Sequence, residues 1–127
     1  MRLALMLGLL GVSSVAQAAE WVPVSQISHN AREVDKTSIQ GTRPLLTFTS
    51  RHVIEDANEF TVGRNSVKYL VMTQRVDCAK RTTVMLSTEA QRADMSMISK
   101  QTLVAQEDVA VLKDSVDEDV LKFVCGG

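Results

Sequence analysis

The chain has 127 residues, with 14 Lys+Arg against 15 Asp+Glu and a formal net charge of −1. That length suits one ordinary domain. The near-neutral balance argues against general nucleic-acid binding, which draws on a strongly basic domain.

The N-terminus carries an export pattern. Arg2 is a short positive region, Leu3 to Val12 is apolar, and Ala16-Gln17-Ala18 places small residues where a signal peptidase reads. The apolar run is too short for a membrane anchor, since crossing a bilayer takes roughly 20 residues. A signal peptide over residues 1–18 is expected, with cleavage after Ala18 or Ala19. No cysteine stands at the cleavage region to accept a lipid anchor. Residues 19–127 then form a single exported, soluble domain, slightly acidic once Arg2 is lost, with no later stretch of transmembrane length.

Glu20 to Val24 reads as a short apolar strand whose Pro23 suits a sheet edge. Trp21, the only tryptophan, is expected to pack. Ser28-His29-Asn30 has turn chemistry, and Arg32 to Asp35 is a second short strand. Lys36 to Gly41 is a connection, with Ile39 pinned to the core. From Pro44 to Ile54 the residues are strand-like, and Leu46, Phe48 and Ile54 share one parity, as a half-buried strand requires. Glu55 to Asn65 is polar and reads as a loop.

Ser66 to Val76 is the strongest strand signal. Val67, Tyr69 and Val71 lie on one parity and Leu70, Met72 and Val76 on the other, so the strand should be central. Asp77 to Lys80 is a turn, and Arg81 to Thr88 returns as a second strand rich in threonine and branched residues. The two should form an antiparallel hairpin with Cys78 at its tip. Glu89 to Asp94 reads as loop, and Met95–Leu103 and Asp108–Leu112 as weaker strands of one interrupted edge.

The last element is helical. Ser115 followed by Glu118 is a capping-box signature. Asp117, Glu118 and Asp119 in the first turn and Lys122 in the last complement the helix dipole. Val116, Val120, Phe123 and Val124 recur at helical spacing and form one apolar face. A helix of about ten residues is marginal alone, so it must dock.

Cys78 and Cys125 are the only cysteines. In an exported chain they read as one structural disulfide joining the β-rich middle to the C-terminal helix. A loop of this size contributes on the order of 4 kcal/mol in the chain-entropy account. The alternative is a pair of free thiols in a redox or metal site, which has neither a Cys-x-x-Cys pair nor nearby histidines in its favour.

Chemistry is sparse. His29 falls in a turn and His52 at a strand end, each a solvated surface residue without an evident nucleophile. Glu55-Asp56 is loop polarity, Asp117-Glu118-Asp119 already serves the helix start, and Gly63 is isolated rather than part of a phosphate loop. No enzyme, metal or cofactor is expected. Between Arg43 and Arg81 basic residues outnumber acidic ones, and between Glu107 and Lys122 the reverse holds. Two solvated faces explain this. The functional reading is a basic sheet face, with Arg51, Arg64, Lys68 and Arg75, that meets an acidic partner. Edge strands at Pro23 and at Met95–Leu103 offer a second route, pairing with a partner's strand or with a second copy of the chain.

The export signal, the Trp21-Val22 start, Val34-Asp35, Ser38-Ile39, the central Val76-Asp77-Cys78-Ala79-Lys80-Arg81 and the closing Phe123-Val124-Cys125 together resemble the surface-adhesin protein E family. The resemblance spans nearly the whole exported chain and rests on the order and spacing of short motifs. It implies an α+β fold: an antiparallel β-sheet of about six strands, with a C-terminal α-helix packed on one face and tied by a disulfide. It further implies an exported, non-enzymatic binding protein that recognises host matrix or serum proteins and can dimerise. The alternative is a periplasmic accessory or inhibitor protein acting on another envelope protein. The founding adhesins are lipid-anchored, and their binding segments find no residue-by-residue match here. Periplasm, cell surface and medium all remain open as the destination.

Overall fold

The computed structural model describes residues 18–27, 30–104 and 106–126. The export signal expected over residues 1–18 lies, but for its last residue, outside the described residues, as does His29.

The chain runs through β1 (Trp21–Ile27), β2 (Asn30–Asp35), a 3-10 turn (Lys36–Ser38), β3 (Gln40–Thr42), β4 (Leu45–Val53), β5 (Thr61–Val62), β6 (Asn65–Ser66), β7 (Tyr69–Asp77), β8 (Thr82–Gln91), β9 (Met97–Thr102), β10 (Val109–Ala110) and α1 (Val116–Cys125). The main sheet is antiparallel in the order β1-β2-β4-β7-β8-β10. β3 lies along β4, on residues Leu45–Thr47, while β2 pairs with Ser50–Val53 of the same strand. β9 and β10 both pair with β8, at its two ends. The sheet is therefore six strands across. Its last position is the interrupted edge expected from the sequence.

β4 and β7 are the middle of this sheet, and their register explains the two faces. Leu46, Phe48 and Ser50 stand opposite Val76, Gln74 and Met72, and all six are buried. The intervening residues point the other way. Alternation of this kind follows from the two-residue period of a strand.

Helix α1 covers one end of the buried face. Val120, Leu121 and Val124 pack with Val34, Leu46, Phe48 and Val76, and Val24, Ile39, Val111, Val116 and Phe123 surround them. Ile39 is thus held against the core, and Leu121 joins the helix face expected from the apolar spacing. Ser115 caps the helix, its Oγ accepting the Glu118 N–H at 3.1 Å. Glu118 departs from the usual box: its Oε1 accepts the Asp114 N–H at 3.3 Å. Gly126 ends the helix in the left-handed region at φ 78, its N–H donating to the Lys122 carbonyl. Cys78, just after β7, and Cys125, at the end of α1, are joined with S–S 2.11 Å and Cα–Cα 5.9 Å. That fastens the helix to the sheet and excludes the free-thiol alternative, since no described cysteine is free.

A second, smaller cluster lies at the far end of the same face. Ile54, Val67 and Ala90 pack with Val62 and Ile98. Three expectations are corrected here. The polar stretch from Glu55 to Asn65 is not all loop: Thr61–Val62 pairs with Asn65–Ser66 as a small hairpin. Glu89 to Gln91 is not loop either, because β8 continues to Gln91, with Glu89 opposite Val71 on one side and Lys100 on the other. The strong central strand starts at Tyr69 rather than at Ser66.

Between the two clusters the floor is polar. The Arg32 Nη2 donates to Gln74 Oε1 at 2.9 Å, and Ser50 Oγ donates to the same oxygen at 2.7 Å. Arg32, Ser50 and Gln74 are all buried. A hydrogen-bonded polar group is tolerated in a core where an unpaired one is costly.

Candidate functional site: the uncovered sheet face and its open edge

The face opposite α1 is built from the alternate residues of the same strands. Glu33, Thr47, Thr49, Arg51, Val53, Tyr69, Val71, Thr73 and Arg75 follow one another across β2, β4 and β7 by register. Neither helix nor second sheet lies on this face among the described residues. Its residues are mostly half-buried, with polar and β-branched side chains supporting one another, as on antiparallel sheets with one wet side.

Its most ordered feature is a stack of side chains from β1, β4 and β7. The Arg51 guanidinium lies 4.1 Å from the Trp21 ring centroid and 4.3 Å from that of Tyr69. It also pairs with Glu33, its cross-strand neighbour, through Nε–Oε1 at 2.7 Å. A cation between two aromatic faces gains from both quadrupoles, and the carboxylate neutralises it. Trp21 therefore packs, as expected, but on the uncovered side.

This arrangement disperses the four basic residues considered above. Arg51 and Arg75 share the uncovered face. Arg51 is occupied by Glu33 and the two rings, and Arg75 is half-exposed at 3.7 Å from Asp108. Arg64 lies in the small β5–β6 hairpin, exposed. Lys68 lies between β6 and β7, where its backbone bonds Ile54 and Gln91. It also lines a cavity of about 270 Å³ with Ile54 and Val67. The structure does not gather the four into one patch.

The sheet edges differ from each other. β1 has Pro23 and a register shift between Pro23 and Ser25, and α1 packs beside it. Both irregularities blunt an edge. β9 pairs with β8 on one side only. Along the outer edge made by β9 and β10, Met95, Met97, Val104 and Val109 are exposed at 57–80%. A groove of about 420 Å³ runs beside this edge on the helix side, lined by Phe60, Val62, Leu70, Thr88, Ser99 and Gln101 among others.

His52 is not the freely solvated residue expected. It stands opposite Arg32 in the register, on the helix side of the sheet, and is half-buried. Burial first, then the Arg32 charge, push its pKa down, against a smaller upward pull from Glu59. Among the described residues no group of three His, Cys, Asp or Glu converges to hold a metal. No described helix is long and apolar enough to cross a membrane.

A sheet of six strands across, closed on one face by a single disulfide-bound C-terminal helix, invites comparison with known families. The model of the family described as surface-adhesin protein E matches residues 21–126. The chain belongs to that family. Among solved structures, Haemophilus influenzae protein E is similar at a TM-score of 0.57 and 10% identity, covering 86% of this chain and 96% of that one. At that identity the likeness speaks for the fold. The search of curated proteins finds no match. Family membership makes this a surface-adhesin-like protein.

Proposed function

We propose that the chain is exported through a signal over residues 1–18, and that residues 19–127 act as one non-enzymatic binding domain. Its targets are host matrix or serum proteins. The observation that carries this reading is the family match over residues 21–126. The uncovered face and the β9 edge offer the contact surface. On the face, the Trp21–Arg51–Tyr69 stack holds rigid aromatic area in place, and rigid area loses little entropy on binding. At the edge, the outer backbone groups of β9 suit an extended strand, either a partner's or that of a second copy. Arg75 and Arg64 are the exposed cations that would steer an acidic target.

The test is protease shaving of intact cells that carry the native protein, with a lysed control. Loss from intact cells supports the adhesin reading. Loss only after lysis contradicts it and favours an accessory or inhibitory role on another envelope protein in the periplasm.

A further inference from the structure

The pole of the molecule at the disulfide carries a feature that neither the sheet face nor the edge explains. Arg43 precedes β4, Arg81 ends the β7–β8 turn, and Lys122 belongs to α1, yet the three side chains line one cavity of about 210 Å³ around Cys78 and Cys125. Among the described residues no carboxylate lines it.

Each cation is held in place by a contact that uses only part of its donor capacity. Arg81 Nη2 meets Glu118 Oε2 at 2.7 Å, and Lys122 Nζ meets Glu118 Oε1 at 3.4 Å. Arg43 Nη2 donates to the Cys125 carbonyl. A guanidinium has five N–H donors and an ammonium three, so most remain available. Glu118 sits beneath, its side chain only 9% exposed, while Arg81 and Lys122 are 50% and 59% exposed. The Asp114 N–H is the largest influence and holds the Glu118 carboxyl below its ordinary range; burial opposes it, and Lys122 and Arg81 add smaller downward pulls. Asp77, at the base of the turn, directs its carboxylate to the Ala79 and Lys80 N–H groups.

The charge count decides what such a cavity attracts. Among the described residues, three cations face one carboxylate and the C-terminal end of α1, which adds about half a negative charge. The remainder is positive, with Lys80 exposed in the same turn. Helix-end neutralisation accounts for Arg43 and Lys122, but not for Arg81, which reaches the cavity from the sheet. Arg81 does so from the left-handed region, at φ 55, a conformation costly outside glycine.

We propose that this cavity is a binding site for a phosphate group, with Arg43, Arg81 and Lys122 as its ligands. Fixed donors from three elements match the oxygens of such a group, and charge-assisted bonds of this kind are the stronger class. Inorganic phosphate and the headgroup of an acidic lipid such as phosphatidic acid share this chemistry.

The exported chain, uniformly 15N-labelled, is titrated with inorganic phosphate at constant ionic strength. It is then titrated with phosphatidylcholine vesicles, with and without phosphatidic acid. Saturable amide shifts confined to Thr42–Arg43, Ala79–Arg81 and Lys122–Gly126 are expected. Lys122→Gln leaves Arg81 paired with Glu118 and should weaken binding at least five-fold. Lys100→Gln, exposed on β9 opposite Glu89 and so at the other end of β8 from Arg81, should leave it unchanged. Circular dichroism melts of both variants check the fold. Binding only to phosphatidic acid vesicles assigns the group to lipid, and binding to both assigns it to phosphate in general. Absence of saturable binding in both arms overturns the site, as does equal weakening by Lys122→Gln and Lys100→Gln.

Discussion

The two faces of one sheet have been built by different rules. On the helix side, Phe48 is 1% exposed and Val34 fully buried, and side chains distant in sequence are packed into one cluster under α1. On the other side the same strands present Thr47, Thr49, Thr73 and Arg75 beside an aromatic–cation stack. The first face sets stability, because its residues exclude water and cannot relax when trimmed. The second is held by its own side chains and tolerates change, which leaves it available for contact.

The comparison breaks most visibly if the core is cut. Phe48→Ala should destabilise the chain by about 3–5 kcal/mol, since it removes a fully buried ring and leaves a cavity. Urea unfolding of the purified domain measures this. A loss below about 1 kcal/mol would mean that the helix does not seal this face.

Removal of the disulfide by Cys78→Ser with Cys125→Ser should cost about 2–4 kcal/mol. Urea unfolding measures the loss, and amide exchange tests whether α1 stays docked. Faster amide exchange across Val116–Cys125, with β4 and β7 still protected, is the expected pattern.

On the other face the expected numbers shrink. Arg51→Ala breaks the stack and the Glu33 pair together, and should cost about 1–2 kcal/mol. Thr73→Lys, in the middle of the same face, should stay within about 0.5 kcal/mol. A large loss at Thr73 would show that this face is covered in the working protein.

Acid should act through the helix side. The folded-state pKa of His52 is depressed, so the unfolded chain takes up its proton first. The unfolded state binding more protons means that stability falls as pH drops. The loss should begin below the ordinary histidine value, about pH 6.5, and end once the folded-state value is passed. His52→Gln should flatten that part of the stability–pH curve. An unchanged slope would place the effect elsewhere.

Much of the covered face was legible in the sequence because its signals are local. Alternation in Leu46 and Phe48, apolar residues on both parities of Tyr69–Val76, and the Ser115 cap each act within a few residues. The uncovered face was harder to read for the same physical reason. Glu89 and Gln91 are polar and flank a single buried Ala90, so the stretch resembles loop, although β7 and β9 hold it as strand. The β5–β6 hairpin has two-residue strands, too short for any periodicity. The Arg51 stack joins residues 21, 51 and 69, and no spacing rule links them. Nor did the basic count foretell that Arg51 is neutralised while Arg64 and Lys68 lie off the face. The Arg32–Gln74–Ser50 network is hidden for the same reason, since only the folded register brings those three together.

The most direct test is binding of residues 19–127 to a panel of immobilised matrix and serum proteins, run beside two variants. Thr73→Glu/Arg75→Glu alters the uncovered face, and Asp119→Asn alters the exposed side of α1. The wild-type chain should bind at least one protein of the panel. The double variant should lose that binding at least ten-fold and Asp119→Asn should keep it. Binding retained by the double variant, or lost only on the helix side, would contradict the assignment of recognition to the uncovered face.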